Sequence, residues 1–301
     1  MEFKDAITGK NINKKFGKFE LDVPEIHIPE GFATAFIGEN GAGKTTLLNI
    51  LAGLRQDNKG EVRYFDNALS IDDNGVRERI GYSGTKHHLL PHWTGEQVKN
   101  LSKMLFDNFD EKKFEEICKA INIDDSVFGP NGKMIAKLSD GNKMKLSPAT
   151  VFARNADLLI LDEPASPLDP LMRDLLSDML RSYLADGNGQ RTVVFSTHNI
   201  SDMENVTDYI YVIDDGKILE HGFVTDIKEK YVLVKGDGKA DKKIHDLMIT
   251  CHENSFGYEG IILSDKMDSF AGMNASFETP GLFQISVALL KMNSKLRMPE
   301  M

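Results

Sequence analysis

Gly38-Glu39-Asn40-Gly41-Ala42-Gly43-Lys44-Thr45 matches the phosphate-cradling pattern G-x-x-x-x-G-K-[ST] at every position. Glycines at this spacing let successive backbone N–H groups turn inward onto phosphate oxygens. Lys44 then neutralises charge on the β- and γ-phosphates, and Thr45 offers a hydroxyl to Mg²⁺. The spacing makes Gly38, Asn40, Gly41, Gly43, Lys44, Thr45 and Thr46 the candidate nucleotide-binding residues. A second group of chemically capable residues is Asp162-Glu163, at the end of the apolar run Leu158-Leu159-Ile160-Leu161. An aspartate there can hold Mg²⁺ through water, and a glutamate one residue on can polarise an attacking water.

These residues need particular elements beneath them. Thr34-Ala35-Phe36-Ile37 reads as a buried strand, and residues 44–54 read as a helix whose positive end faces the phosphates. The run before Asp162 reads as a parallel strand buried on both faces. Ligands collect at the carboxyl ends of such strands. Neighbouring strand residues point to opposite faces, which predicts separate directions for Asp162 and Glu163.

The chain has 301 residues, enough for one large or two modest domains. Its 41% hydrophobic and 27% charged residues suit a globular protein. No uncharged apolar run reaches the ~18–20 residues of a membrane helix, and residues 283–292 read instead as an amphipathic helix. The opening Met1-Glu2-Phe3-Lys4-Asp5 lacks an apolar signal core, and Cys118 and Cys251 form no C-x-x-C pair. The expected location is therefore cytosolic. A net charge of −10 argues against broad nucleic-acid binding. ATP is not excluded, because the local lysine and amides act within the screening length of about 8 Å.

Between the two groups lies Leu138-Ser139-Asp140-Gly141-Asn142-Lys143. In that order, the three motifs resemble the ATP-binding cassette (ABC) ATPase family, an α/β P-loop NTPase fold. Ser166-Pro167-Leu168-Asp169 resembles its D-loop. Ser196-Thr197-His198, after Thr192-Val193-Val194-Phe195, resembles its switch histidine, and Asp214 to Gly222 its closing strand pair. Phe16 stands where the family places an aromatic against adenine. The resemblance covers about residues 1–228, with an inserted helical subdomain at about 80–155, and leaves 229–301 as a small α/β C-terminal appendage.

The resemblance implies a homodimer that sandwiches two ATP molecules head to tail. Ser139 and Gly141 of one subunit cap the γ-phosphate bound at Lys44 of the other, and Asp169 lies at the same interface. Glu163 and His198 act on the attacking water, while Thr45, Asp162 and Thr85 hold Mg²⁺, the last through a bridging water. It also implies separate transmembrane subunits and a peripheral position on the inner membrane face. The tail and the region from Leu138 to Asp169 are most similar to bacterial exporters of antimicrobial peptides and bacitracin-type antibiotics, among them staphylococcal exporters of phenol-soluble modulin peptides. The other readings are a soluble ABC ATPase of the ribosome or a DNA-repair ATPase. Ribosomal relatives carry two cassettes, and repair relatives carry long coiled coils, whereas Lys44 to Leu138 holds no sustained heptads.

Five departures from the family pattern stand out. Thr85 replaces a glutamine. Asp140 replaces a glycine, and its carboxylate is expected to turn away from phosphate. Asn142 replaces a glutamine. Pro148 is expected early in the helix after the signature, where it would kink it. Pro167 stiffens the D-loop. His88 and His92 have i, i+4 spacing, but Pro91 breaks a shared helix and no further ligand lies nearby, so a partner-facing loop is the better reading. In the tail, Tyr231-Val232-Leu233-Val234 and residues 258–263 read as strands, Gly236-Asp237-Gly238 as a turn, and Thr279-Pro280 as a helix start. A cap packed on the cassette is favoured over a dimerising or regulatory element.

Overall fold

The computed structural model describes residues 3–293 apart from 67–68, 85–88, 124, 130 and 167, and without the side chains of 140, 141 and 144. The chain starts with a hairpin of β1 (Asp5–Phe16) and β2 (Phe19–Pro29), whose partners Phe16 and Phe19 flank a tight turn. Next come β3 (Ala33–Ile37), α1 (Lys44–Leu51), β4 (Lys59–Tyr64), a single turn α2 (Val76–Arg79) and β5 (Ile80–Ser83). Sheet pairing sends β4 back onto β1, giving an antiparallel sheet of order β2-β1-β4.

A helical layer follows: α3 (Gly95–Leu105), α4 (Glu111–Ala120) and α5 (Asp140–Ala153). Each start carries a side-chain cap, as orphan N–H groups require. Thr94 and Gln97 form a reciprocal capping box, Asp110 accepts from Lys113 N, and Ser139 accepts from Asn142 N. Val98, Phe114, Cys118, Leu146 and Ala149 bury a core of their own. This layer begins after β5, because Ile80–Ser83 pairs in parallel with the next strand of the main sheet. Pro148 sits in the middle of α5 rather than early in it. The helix runs on through it from Asp140 to Ala153.

The chain then returns to the main sheet with β6 (Leu158–Leu161), α6 (Pro170–Ala185), β7 (Thr192–Thr197), β8 (Tyr209–Asp214) and β9 (Lys217–Phe223). The order β5-β6-β7-β3-β8-β9 is parallel except for the last hairpin. Every residue of β3, β6 and β7 is buried, as an interior parallel strand demands. The helix after the phosphate loop ends at Leu51, three residues short of expectation, because the chain turns through Gly53 with φ +67°.

The tail contains α7 (Val224–Lys230), β10 (Tyr231–Asp237), α8 (Lys242–Leu247), β11 (Thr250–Glu253), β12 (Gly257–Leu263), β13 (Ala275–Glu278) and α9 (Leu282–Asn293). Its antiparallel sheet has order β11-β12-β10-β13. Gly236 and Asp237, read as a turn, continue β10 instead, since both pair with β12. The short strands β11 and β13 had too few apolar residues to announce themselves. Leu282, Ile285 and Ala288 of α9 share one buried cluster with Ile200, Met203 and Ile210 of the preceding layers. Leu282 N donates to Glu204 Oε1 at 3.2 Å and Asn293 Nδ2 to Asp214 Oδ2 at 2.8 Å. The tail is therefore packed against the cassette through an apolar helix face pinned at both ends.

Candidate active site

Three loops meet at the carboxyl ends of β3, β6 and β7. The loop after β3 needs glycine twice. Gly43 has φ +107°, a left-handed conformation unfavourable for any Cβ. Gly38 lies so close to β8 that a Cβ would stand 2.2 Å from the Ile213 carbonyl oxygen. That contact is backbone and cannot swing aside. Gly38→Ala should therefore lower stability by about 1–3 kcal/mol, read as a lower urea midpoint; an unchanged midpoint would contradict the close approach.

Lys44 is almost fully buried, at 5% exposed. Its Nζ donates to the carbonyls of Gly38 at 2.7 Å and Glu39 at 3.1 Å, which holds the loop curled around the ammonium. Thr45 Oγ1 donates to Asp162 Oδ2 at 2.9 Å, tying the loop to the end of β6. Ser196, on β7, donates from Oγ to Asp162 Oδ1 at 2.6 Å and accepts from Glu163 N at 2.9 Å. One hydroxyl thus fixes both acids. Burial, with the Asp162 charge adding to it, pushes the nearby Tyr82 phenol up to about 12, so Tyr82 stays neutral beside the site.

Asp162 and Glu163 do not diverge by strand alternation. The strand ends at Leu161, and Glu163 has φ +51°. A non-glycine residue in that region costs about 1–3 kcal/mol. The Ser196 hydrogen bond supports the conformation, and the result aims Glu163 into the cavity. Its Oε2 lies 2.7 Å from His198 Nδ1. An ionised carboxylate only accepts, which puts an imidazole hydrogen on Nδ1. Its Oε1 lies 3.4 Å from Lys44 Nζ, within charge-pairing range but outside hydrogen-bonding geometry, and among the described residues this buried oxygen has no donor.

The cavity has a volume of about 540 Å³. Phe16, Asn40, Gly41, Gly43, Lys44, Thr45, Thr46 and Glu163 line it; Gly38, Asp162 and His198 adjoin it through their neighbours. Phe19, Asn49 and Arg55 line it too and were not singled out from sequence. Phe19 could have been found from its place opposite Phe16 across a two-residue turn. Arg55 could not, because its reach depends on the path of the chain after α1. Its guanidinium carbon stands 4.9 Å from the Phe16 ring centroid, and Lys14 Nζ stands at 5.4 Å. Each is a cation–π contact.

The remaining candidates lie elsewhere. Ser139 caps α5, with Gly141 in the first turn of that helix, and Ser139 is not among the described residues lining the cavity. Asp169 caps α6 by accepting from Met172 N at 3.0 Å. Thr85, Pro167, His87 and His88 lie outside the described residues, as does the direction of the Asp140 side chain. His92 is exposed.

Comparison with known proteins places this site in a family. The ABC transporter family model matches residues 21–166. An uncharacterized ABC transporter ATP-binding protein of Methanocaldococcus jannaschii is 32% identical over 80% of this chain and 87% of its own length. The L-cystine import ATP-binding protein TcyC of Bacillus subtilis is 32% identical over 72% of this chain and 90% of its own length. The human glucosylceramide transporter ABCA12 is 28% identical, but the chain spans only 9% of it. Among solved structures, an ATP-binding subunit of an ABC transporter superposes with a TM-score of 0.63 at 24% identity, covering 74% of this chain and 92% of that one. A dimeric ATP-binding cassette in a post-hydrolysis state with ADP and Pi gives 0.62 at 24% identity, covering 72% and 98%. At that identity the superpositions carry the fold alone, while the relatives in sequence carry the family. The chain belongs to the ABC transporter family of ATP-binding proteins and is an ABC-type ATPase subunit.

Proposed function

We propose that the chain works as a head-to-tail homodimer beneath separate transmembrane subunits, at the cytoplasmic face of the membrane, and that its ATP hydrolysis drives export of a peptide or antibiotic-like substrate. Division into a cassette at 1–228 and an accessory region at 229–301 belongs to the same reading. The observation that carries it is the split of donors. Lys44, Thr45 and Glu163 line one cavity, with Asp162 bonded to Thr45 and His198 to Glu163. Ser139 heads a different helix and neither lines the cavity nor bonds to these groups among the described residues. A second copy presenting Ser139 and the start of α5 supplies a hydroxyl and a helix N-terminus, both suited to a γ-phosphate.

The residues present fit ATP with Mg²⁺. A cavity of about 540 Å³ lies against Gly41, Gly43 and Lys44, and Thr45 and Asp162 offer the oxygen donors that Mg²⁺ prefers. Bound Mg²⁺ would offset phosphate charge. Lys44 would hold phosphate oxygens, Phe16 would stack on the base, and the donorless Glu163 Oε1 would accept a proton from water. His198, oriented by Glu163 through Nδ1, would present Nε2 toward the cavity. Thr85 belongs to the proposed Mg²⁺ shell as a water-mediated member.

Among the described residues no helix is long and apolar enough to cross a membrane. The direction of transport rests on the exporter-like tail and signature region, since the named relatives include an importer and a lipid transporter. The test is a tagged full chain purified from its host. It should carry polytopic membrane proteins, and inside-out vesicles holding that complex should accumulate labelled antimicrobial peptide when ATP is added. Recovery of ribosomes or DNA in place of membrane proteins would overturn the transporter reading. Complexes that never accumulate peptide, yet move a solute inward in right-side-out vesicles energised from within, would overturn export alone.

A further inference from the structure

In the tail, far in sequence from the nucleotide motifs, α8 and the edge strand β11 bring together three side chains of different donor chemistry. Cys251 and Glu253 are alternate residues of β11, so both point to one side of the strand. His245 lies in the last turn of α8 and faces them across the connection. His245, Cys251 and Glu253 each have a ligand atom within 4.8 Å of the others. His245 Nε2 is 3.1 Å from Glu253 Oε1, which also accepts from Ala240 N at 3.0 Å. His252, on the opposite side of the strand, is taken up by Lys291 of α9, with Nζ 3.0 Å from Nε2. A histidine–glutamate pair could serve structure alone, but a thiol within ligand range of both adds a donor that the pair does not need.

We propose that His245, Cys251 and Glu253 form a binding site for a divalent cation of borderline softness, zinc by preference. Nitrogen, sulfur and carboxylate oxygen in one set select zinc or cobalt over magnesium and calcium, which favour oxygen alone. Three protein ligands leave one tetrahedral position for water. Cys251 is partly buried and His245 and Glu253 are exposed, so the site opens to solvent from one side. The ion would tie the six-residue helix α8 to the four-residue edge strand β11, two short elements joined by residues 248–249. Its role is independent of nucleotide chemistry.

The test uses the full-length protein, reduced, stripped with a chelator, desalted and titrated with Co²⁺ without nucleotide. One equivalent should bring up a thiolate-to-cobalt charge-transfer band, and added Zn²⁺ should bleach it. Cys118→Ser should keep the band and Cys251→Ser should abolish it, while His245→Ala and Glu253→Gln should each weaken Co²⁺ binding at least about tenfold. Both of the latter residues are exposed, so their variants should fold even if Cys251→Ser does not. A wild-type protein without the band under excess Co²⁺, a full band in Cys251→Ser, or unchanged affinity in both surface variants would overturn the proposal.

Discussion

Replacing Glu163 with glutamine should cut ATP turnover by about 10²–10⁴-fold while leaving ATP bound. The physical basis lies in how this side chain is held. Its Oε2 is engaged by His198 and its backbone N–H by Ser196, so the residue is fixed whatever the chemistry of Oε1. Oε1 is buried and, among the described residues, without a donor, with the Lys44 ammonium 3.4 Å away. Glutamine matches the shape but cannot take a proton from water. Lys44, Thr45 and Asp162 are untouched, so nucleotide should persist and the closed dimer should accumulate. Light scattering of the variant with ATP should report a dimer, and phosphate release should fall to near background. A variant that turns over at the parent rate would remove Glu163 from its assigned role. Persistent monomers with ATP bound would count against the sandwich.

Lys44→Ala should raise the Kd for ATP by roughly thirtyfold or more, equivalent to at least about 2 kcal/mol. The ammonium is buried and donates to two loop carbonyls. Losing it removes a positive charge from the phosphate cradle and takes one donor from each carbonyl, the Glu39 carbonyl keeping Ala42 N at 3.2 Å. It also leaves Glu163 without a nearby countercharge, which adds repulsion toward an anionic ligand. Titration with a fluorescent ATP analogue measures the loss, and a thermal melt reports how much comes from a disordered loop. An unchanged titration would refute the assignment of the loop.

The two variants separate distinct failures. Glu163→Gln tests chemistry with binding intact, whereas Lys44→Ala tests binding before chemistry can occur. Neither reads out the tail, where the metal proposal stands on α8 and β11.

The glycine-lysine loop, the apolar strand before the paired acids and a helix after the Ser139 segment were all visible in the chain itself. The first two depend on local physics: glycines that admit left-handed backbone, and four buried apolar residues in a row; that Ser139 caps the helix came from the structure. The apolar face of α9 was legible for the same reason. Only the tertiary structure decided that Glu163 turns into the cavity through a left-handed φ, that Ser196 clamps both acids, and that Arg55 reaches Phe16. It also decided that Ile80–Ser83 belongs to the main sheet and that His245 meets Cys251. These features join residues distant in sequence, and their energies depend on which strands lie side by side. Local spacing determines what a segment can become; the packing of segments determines which groups are brought within reach of one another.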